Sequence, residues 1–250
     1  MLLTDKVAVI TGSVRGTGAG IARVFAREGA KVVINQVKDE GYPQQVLEEI
    51  EAAGGQVLFV KADITDEAQV QDMVSQTEKQ FGRVDILVSN YAGGIPQKSF
   101  KDTAWADWQY QLDTTLKAAF LCTQAVLPGM QRRRWGRIIS INTIGIHQPG
   151  PNYHAYTAAK TAMLGFTRNL AVEVGTYNIT ANIVSPGLTL TPEVKAMLTA
   201  EAQEKHENRV PLRRTGTVED TANAALFFAS ELGSFVTGHY MPVCGGQVME

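Results

Sequence analysis

Short apolar runs rich in β-branched residues alternate along the chain with longer segments of helical period. The runs are apolar nearly throughout, as expected for parallel strands that are covered on both faces of a sheet. The pattern predicts strands at Lys6–Ile10, Lys31–Asn35, Gln56–Ala62, Val84–Asn90, Arg137–Asn142, Ile179–Ser185 and Tyr240–Val243.

The segments between these strands carry apolar residues at helical spacing. They predict helices at Gly18–Glu28, Tyr42–Ala53, Glu67–Phe81, Ala104–Met130, Tyr153–Val174 and Val218–Ser230. This alternation indicates a doubly wound parallel sheet, because each crossover must cover a sheet face. Since no linker, repeat or low-complexity tract interrupts the 250 residues, we predict one α/β domain over residues 1–250, with about seven strands and helices on both faces.

Composition narrows the classes of function. With 44% hydrophobic and 19% charged residues, the chain has enough apolar material for one sizeable core, and its net charge of -2 implies no surface for nucleic acid. Cys122 and Cys244 lie far apart and form no metal-binding pattern, so we expect reduced cysteines, no bound metal and a cytoplasmic location. The apolar stretches are too short for a signal peptide or a membrane span, and we expect no membrane association.

The first predicted strand runs directly into the glycine-rich segment VAVITGSVRGTGAG. Gly12, Gly16 and Gly18 stand between that strand and the next helix. Glycine at such a place permits a tight turn and lets the backbone approach a pyrophosphate at the helix N-terminus. Glycines also simply make turns, but the strand-turn-helix context favours a dinucleotide site and a Rossmann-type fold.

Five motifs, in order along the chain, resemble those of the short-chain dehydrogenase/reductase family, including its 3-oxoacyl carrier-protein reductases. They are TGxxxGxG at Thr11–Gly18, an NNAG-like segment in Ser89–Gly94, YxxxK at Tyr156–Lys160, NxVxPGxxxT at Asn182–Thr191 and a closing pair at Gly245 and Gly246. The resemblance implies a nicotinamide cofactor and hydride transfer to or from a small-molecule carbonyl or alcohol. It also implies a homo-oligomer, commonly a tetramer built through the long helices.

The same resemblance implies which residues contact the cofactor. Within the set, Asp63 is expected beside the adenine ring and Thr191 at the nicotinamide carboxamide. The full expected set is Gly12, Arg15, Gly16, Thr17, Gly18, Asn35, Gln36, Asp63, Ile64, Asn90, Ala92, Gly93, Tyr156, Lys160, Pro186, Gly187, Thr189 and Thr191.

The end of the second predicted strand bears on the choice of cofactor. An acidic side chain there would accept hydrogen bonds from the ribose hydroxyls of NAD, whereas this chain has Asn35 and Gln36, with Lys38 just beyond. Arg15 stands where NADP-dependent members of the family often carry a cation, and a guanidinium suits a phosphate group. The other interpretation is that Arg15 is simply a solvated loop cation that binds no phosphate. We expect NADP(H) to be favoured over NAD(H).

Tyr153 and Tyr156 compete for the role of proton donor. A ketone that accepts hydride needs a donor beside its oxygen, and a free tyrosine has a pKa of about 10. Tyr156 has Lys160 four residues later on the same helix face, where positive charge favours the phenolate, whereas Tyr153 has Thr157 there. We predict that Tyr156 is the acid/base and that Tyr153 is a wall of the substrate pocket or a packing residue. Lys160 is expected to lower the pKa of Tyr156 and, by resemblance, to bind the nicotinamide ribose.

Two threonines depart from the family pattern. Thr143 stands where the family normally has a serine that positions the substrate carbonyl; its hydroxyl keeps the hydrogen-bonding capacity, and its methyl takes space. Thr115 stands where the family has an asparagine that helps hold a water between the lysine and solvent, so we expect a weakened or rearranged proton relay. Tyr91 also interrupts the asparagine-alanine step of the NNAG-like segment, by insertion or by substitution.

Three segments are expected to border an apolar substrate, at residues 94–101, 144–153 and 188–209. Residues 188–210 are helical in period yet highly charged, which fits either a mobile lid or an ordinary surface helix. The leading prediction is an NADP(H)-dependent carbonyl reductase or alcohol dehydrogenase. Its rivals are an NAD-dependent alcohol or sugar dehydrogenase and, from another class, a cofactor-binding regulatory protein with little turnover.

Overall fold

A computed structural model describes residues 1–37 and 42–249 of the chain. Lys38, which enters the cofactor prediction, lies outside the described residues. The strands within the described ranges are β1 (Val7–Ile10), β2 (Lys31–Gln36), β3 (Gln56–Lys61), β4 (Ile86–Ser89), β5 (Gly136–Ile141), β6 (Ile179–Pro186) and β7 (Tyr240–Val243).

These strands form one parallel sheet in the order β3-β2-β1-β4-β5-β6-β7. The chain moves outward from β1 to β3, then crosses back to β4 and continues in the other direction. The strand order therefore reverses between β1 and β4, and in open α/β sheets ligands bind outside the carboxyl ends of strands at such a switch point. The fold places the candidate site at this edge.

The helices cover both faces of the sheet, as predicted. They are α1 (Gly16–Arg27), α2 (Tyr42–Ala52), α3 (Glu67–Phe81), α4 (Trp105–Leu112), α5 (Ala118–Arg133), α6 (His154–Val174), α7 (Pro192–Met197), α8 (Ala200–Glu207) and α9 (Val218–Ala229). None of the described helices combines the length and the apolar character needed to cross a membrane.

Successive residues of the central strands enter two different cores. Ala8 and Ile10 of β1 pack in the core beneath α1 and α9, whereas Val9 between them packs in the core beneath α3, α5 and α6. Because both faces of each strand are covered, the strands have no polar face, which explains why they are apolar nearly throughout. The doubly wound α/β fold predicted from this pattern is confirmed.

The helix predicted at Ala104–Met130 differs from the structure. It is divided into α4 and α5 by a π-helical turn at Asp113–Lys117, and α5 runs on to Arg133. Within the turn, the Thr114 hydroxyl donates to the carbonyl of Tyr110 at 2.7 Å. The apolar spacing continues through the turn, so the sequence pattern alone did not show the extra residue.

The segment at 188–210 is also divided. Thr191 caps the N-terminus of α7 by accepting a hydrogen bond from the amide of Val194, and Thr199 caps α8 by accepting from Ala202. Both helices are short and largely exposed, and Met197 at the end of α7 is 83% exposed. The segment is therefore helical as its period predicts, but it forms two separately capped helices and not a single one.

Candidate active site

The glycine-rich loop is shaped by backbone geometry that favours glycine. Gly12 and Gly16 have positive φ angles of 60° and 56°, and α1 begins at Gly16. A Cβ on Gly18 would lie 2.5 Å from Asn90 Nδ2 and 2.6 Å from the carbonyl oxygen of Gly12. The loop and the end of β4 are therefore packed so closely that only glycine fits at Gly18 without a shift.

A cleft of about 560 Å³ opens above this loop. Its lining includes eight of the predicted cofactor-binding residues, namely Gly12, Arg15, Gly16, Thr17, Gly18, Gln36, Asn90 and Ala92. The N-terminus of α1 opens into the cleft with no acidic residue in its first turn. A close glycine backbone and the positive end of a helix dipole fit the pyrophosphate of a dinucleotide.

Asn35 lies beneath the cleft rather than on its wall. Its Nδ2 donates to the carbonyls of Val60 and Ala62 at 3.2 and 3.0 Å, and its Oδ1 accepts from the amide of Gly12 at 3.4 Å. The side chain is buried and engaged at both ends, and the direct cofactor contact expected for Asn35 stays a prediction. Its role is to join β2, β3 and the glycine loop.

Asn90 supports the same loop from β4. Its Nδ2 donates to the carbonyls of Thr11 and Gly12, each at 3.0 Å, and its amide donates to the Thr11 hydroxyl. Tyr91 follows with its ring against Gly12, where a Cβ would lie 2.9 Å from the ring. Burial has the largest effect on the pKa of Tyr91 and raises it, and the neighbouring hydroxyl of Tyr110 raises it further.

The remaining predicted cofactor residues lie around the cleft without lining it. Asp63 accepts from the amide and hydroxyl of Thr65 at 2.9 and 2.7 Å, and Gly93 packs against the ring of Tyr110. On the other side of the switch point, β6 ends at Pro186, and Gly187, Thr189 and Thr191 follow it. The methyl of Thr191 comes within 3.6 Å of the Cβ position at Gly16, so both sides meet at one edge.

Tyr156, Lys160 and Thr143 come together at the adjoining end of β5. The hydroxyls of Thr143 and Tyr156 share a hydrogen bond. Lys160, one helical turn after Tyr156, places Nζ 5.9 Å from the centre of the tyrosine ring. This nitrogen is buried and donates to the carbonyl of Ile141 at 2.7 Å. Within the described ranges, no cation is recorded against the Tyr153 ring, which stands edge-on to Tyr156 with ring centres 6.4 Å apart.

Known proteins share this fold and sequence along almost the whole chain. A family model described as enoyl-(acyl carrier protein) reductase matches residues 12–247. The chain belongs to the short-chain dehydrogenase/reductase family. The resemblance seen in the five sequence motifs is thus confirmed.

Three members of the short-chain dehydrogenase/reductase family illustrate the similarity. The (2S)-[(R)-hydroxy(phenyl)methyl]succinyl-CoA dehydrogenase subunit BbsD of Thauera aromatica is 40% identical over 99% of this chain and 98% of its own. The 3-oxoacyl-[acyl-carrier-protein] reductase FabG of Staphylococcus epidermidis is 34% identical over 98% of this chain and 100% of its own. A solved 7α-hydroxysteroid dehydrogenase, complexed with NADH and 7-oxo glycochenodeoxycholic acid, is 35% identical, with a TM-score of 0.93 over 100% of this chain and 96% of its own.

The ionisation of the tyrosine differs from the sequence prediction. Burial raises the pKa of Tyr156 to about 12, and the hydrogen bond from Thr143, which lowers it, does not offset that effect. Burial also lowers the pKa of Lys160 to about 8. In the protein alone, desolvation dominates the ionisation of both groups, so the predicted lowering of the Tyr156 pKa by Lys160 is absent.

Thr115 is brought to Lys160 by the π-helical turn. Both residues line a small inner cavity together with Ser89, Tyr91 and Ile64, and the cavity has room for about one water molecule. Among the residues that the structure describes, the buried hydroxyls of Thr115 and Ser89 have no hydrogen-bond partner. Ile64 lines this cavity, and the cofactor contact expected for it stays a prediction. Ser89 opens the NNAG-like segment, but the resemblance gave it no role, so this contact was not predicted from the sequence.

The mouth of the site is bridged by side chains from two of the predicted substrate segments. Gln97 Nε2 donates to the Tyr153 hydroxyl at 2.9 Å. Gln111, which the sequence reasoning missed, donates from Nε2 to the carbonyl of Gly94 at 2.8 Å, and the Gly94 amide donates to the Tyr110 hydroxyl at 3.3 Å. The backbone at Gly94 is thus held on both sides by α4, next to the cofactor cleft.

Proposed function

We propose that the protein is an NADP(H)-dependent oxidoreductase that interconverts a ketone and a secondary alcohol, with Tyr156 as the acid/base. The observation that carries the proposal is the hydrogen bond between the Thr143 and Tyr156 hydroxyls, beside buried Lys160 and next to a cleft built for a dinucleotide. A bound nicotinamide cofactor supplies or accepts the hydride. The three side chains act on the oxygen of the substrate.

The proton balance follows from the geometry. In the reducing direction, Tyr156 gives its phenolic proton to the carbonyl oxygen, which becomes the alcohol hydroxyl, and a phenolate remains. In the oxidising direction, the phenolate takes the proton of the alcohol. The Thr143 hydroxyl can donate to the same substrate oxygen, and the Lys160 ammonium stabilises the phenolate. Thr115 and Ser89, in the cavity behind Lys160, are placed to hold a water that returns the proton.

Replacement of Tyr156 by phenylalanine tests this function. Wild-type protein is assayed with a panel of ketones and alcohols in the presence of NADPH, NADP, NADH or NAD. We expect turnover with at least one pair and a loss of about a hundredfold to ten-thousandfold in kcat for Tyr156→Phe, with cofactor affinity retained. Absence of turnover with every pair, despite intact cofactor binding, would assign the protein to the class of non-catalytic cofactor-binding proteins.

The preference for NADP(H) rests on Arg15. Its guanidinium lines the cleft, and its Nε lies 3.9 Å from Glu193 Oε1 on α7, a separation that leaves a weak ion pair between exposed side chains. The described residues at the end of β2 present Gln36 and Val37 to the cleft, and neither would repel a 2'-phosphate. NAD(H) is the second candidate, because the similar 7α-hydroxysteroid dehydrogenase was solved with NADH.

Arg15→Gln separates the two cofactors. We expect the KM for NADPH to rise about tenfold while the KM for NADH changes little, because only NADPH has a 2'-phosphate for the guanidinium to bind. Arg27→Gln is the matched control, since Arg27 is a comparably exposed arginine that pairs with Glu219 on the surface. Equal effects of Arg15→Gln on both cofactors would contradict the preference.

We propose a bulky, largely apolar substrate. Tyr153 stands edge-on to Tyr156, and Ile144 follows Thr143 directly, so apolar side chains flank the reacting hydroxyls. The names of similar proteins include a phenyl-substituted succinyl-CoA derivative, a 3-oxoacyl thioester and a bile acid, all larger than simple alcohols. A panel that contains an aromatic ketone, a 3-oxoacyl-CoA and a steroid ketone measures this directly, and a preference for polyols would contradict it.

We also propose that the protein is a cytoplasmic homotetramer. A surface formed by the end of α4, the π-helical turn, α5 and α6 exposes apolar side chains of Leu112, Leu116, Phe120 and Phe166, and Phe120 is 46% exposed. Such a contiguous apolar surface is typical of an interface between subunits. Light scattering after gel filtration measures the mass in solution. A wild-type monomer, or an unchanged tetramer in Phe120→Asp, would contradict the use of this surface.

A further inference from the structure

Asn142 connects the two backbone segments that carry Thr143 and Lys160. It follows the last residue of β5, is 4% exposed, and donates from its own amide to the carbonyl of Val184 on β6 at 2.8 Å. Its side-chain Oδ1 accepts from the amide of Thr143 at 2.8 Å, and its Nδ2 donates to the carbonyl of Lys160 at 2.9 Å. One buried amide group thus contacts two of the three proposed site residues.

A second hydrogen bond crosses the same gap in the opposite direction. Lys160 Nζ donates to the carbonyl of Ile141, the residue before Asn142, at 2.7 Å. Each side of the gap therefore offers one side-chain donor to a backbone carbonyl on the other side. The two bonds fix the turn of α6 that contains Tyr156 and Lys160 against the end of β5.

We propose that Asn142 is a positioning residue, which holds the Thr143 hydroxyl and the Lys160 side chain in one arrangement around Tyr156. The inference rests on the proposed oxidoreductase function of this site. Only an amide of this length supplies an acceptor for the Thr143 amide and a donor for the Lys160 carbonyl at once. Aspartate can accept but not donate, and alanine can do neither.

The position of Lys160 has a chemical consequence. Its ammonium is buried, and burial lowers its pKa to about 8, so any movement toward solvent would restore a more ordinary value. Movement would also change its distance from the Tyr156 phenol. Since a misplacement of about 1 Å in a reacting group can cost about a hundredfold in rate, the loss of both Asn142 bonds should lower kcat without weakening cofactor binding.

Asn182 provides a matched control. It is buried in β6, donates from Nδ2 to the carbonyl of Val236 at 2.8 Å, and accepts at Oδ1 from the amide of His239 at 3.1 Å. It therefore makes the same kinds of bond as Asn142, to backbone groups that do not belong to the proposed site. A role in stability alone predicts the same result for Asn142→Ala and Asn182→Ala.

The experiment compares Asn142→Ala, Asn142→Asp and Asn182→Ala in kcat, in KM for cofactor and in the titration of the Lys160 amine by NMR. We expect Asn142→Ala to lower kcat by about tenfold to a hundredfold with KM for cofactor within about twofold, and to raise the pKa of Lys160 toward its free value of about 10.4. Asn182→Ala should leave both unchanged. Asn142→Asp retains the Thr143 bond and should lower kcat less; it also provides the test if the alanine variant does not fold.

Equal kcat values and equal Lys160 titrations in the Asn142 and Asn182 variants would overturn the positioning role. An inactive wild-type protein would overturn the proposed function alone. In that case the titration of Lys160 decides the role of Asn142 by itself, because it requires no substrate: a pKa of Lys160 that stays at its wild-type value in Asn142→Ala overturns that role, and a raised one supports it.

Discussion

The two halves of the candidate site are built by different means. Around the glycine loop, Asn35 and Asn90 use their side chains to bind backbone groups, and the walls of the cleft depend on glycines at close contacts. Around Lys160, side chains are buried, two hydroxyls have no partner among the described residues, and the pKa values of Tyr156 and Lys160 are both shifted. The first half is a rigid backbone cradle, whereas the second half depends on desolvated groups that can exchange protons.

Gly18→Ala should break the cradle, and we expect the largest effect from it. The added Cβ meets Asn90 Nδ2, the Gly12 carbonyl and Ser13 Cα at 2.5 to 2.8 Å, so the loop must move. We expect cofactor affinity to fall at least about tenfold and the free energy of unfolding to fall by about 1–3 kcal/mol. Calorimetric titration with cofactor and denaturant unfolding measure both quantities.

Gly165→Ala on α6 is the control for that substitution, because nothing lies within 4 Å of its Cβ position. It should stabilise the helix by up to about 1 kcal/mol and leave cofactor binding unchanged. If both variants bind cofactor like the wild type, the cradle tolerates the added methyl, and the contrast between the two halves fails.

Lys160→Met should remove the pH dependence that distinguishes the desolvated half. The pKa of Lys160 is lowered to about 8 in the folded protein and is about 10.4 when unfolded. Between these values the unfolded chain binds more protons, so the contribution of Lys160 to the free energy of unfolding increases as pH rises. We expect the wild type to gain about 2 kcal/mol relative to Lys160→Met between pH 8 and about pH 10.

Denaturant unfolding of both proteins across this range measures the difference. Arg137, the other buried cation among the described residues, also has a lowered pKa because of burial, but it lies at the opposite end of β5 and is present in both proteins. Its contribution therefore cancels in the comparison. A constant difference between wild type and variant across the range would contradict a lowered pKa of Lys160.

Much of the fold and of the cradle could be predicted, because both depend on local patterns. Alternating apolar runs gave the strands, and the glycine spacing gave the loop between β1 and α1. The supporting role of Asn35 could not be predicted, because sequence position showed that it ends near the cleft but not that the end of β3 supplies carbonyls that bind its amide. Asn142 and Ser89 were missed for a similar reason, since their roles depend on residues far away in the chain.

The ionisation of Tyr156 could not be predicted because two opposing effects decide it. The spacing to Lys160 showed only the attraction between charges, whereas the extent of burial depends on the packing of α6 against β6 and the end of β5 and on the nearby loops. The π-helical turn could not be predicted either, because the apolar residues on both sides of Thr115 keep a helical spacing. Local pattern thus predicts which side chains share a site, and tertiary packing determines their protonation and their free hydrogen-bonding groups.

Thr115→Val sharpens the comparison within the desolvated half. It removes a buried hydroxyl without a partner in the described residues and keeps the volume, so we expect an increase of about 1 kcal/mol in the free energy of unfolding. If this hydroxyl helps return the proton to Lys160, kcat should fall several-fold at the same time. Thr123→Val is the control, because the Thr123 hydroxyl is also buried without a partner there but lies outside the cavity lining.

A gain in stability with no loss of kcat would show that Thr115 has no part in proton return. The activity of a Thr115→Asn variant then tests whether the site has adapted to threonine. We expect asparagine to lower kcat, because the cavity has room for about one water and a longer side chain would fill it. A clear gain in kcat would instead mean that threonine impairs the relay.

Thr143→Ser should have the smallest effect, because it changes only a methyl group. The hydroxyl that bonds Tyr156 and accepts from the Gly145 amide at 3.1 Å is retained, so proton transfer should continue at a rate within a few-fold of the wild type. The methyl restricts the rotamer and occupies space beside the substrate carbon. We expect kcat/KM to rise for the bulkiest ketones of the panel and to stay level for the smallest. If the serine variant has the same kcat/KM for every ketone, the methyl does not shape the pocket, and the substrate range is set by the segments at the mouth of the site.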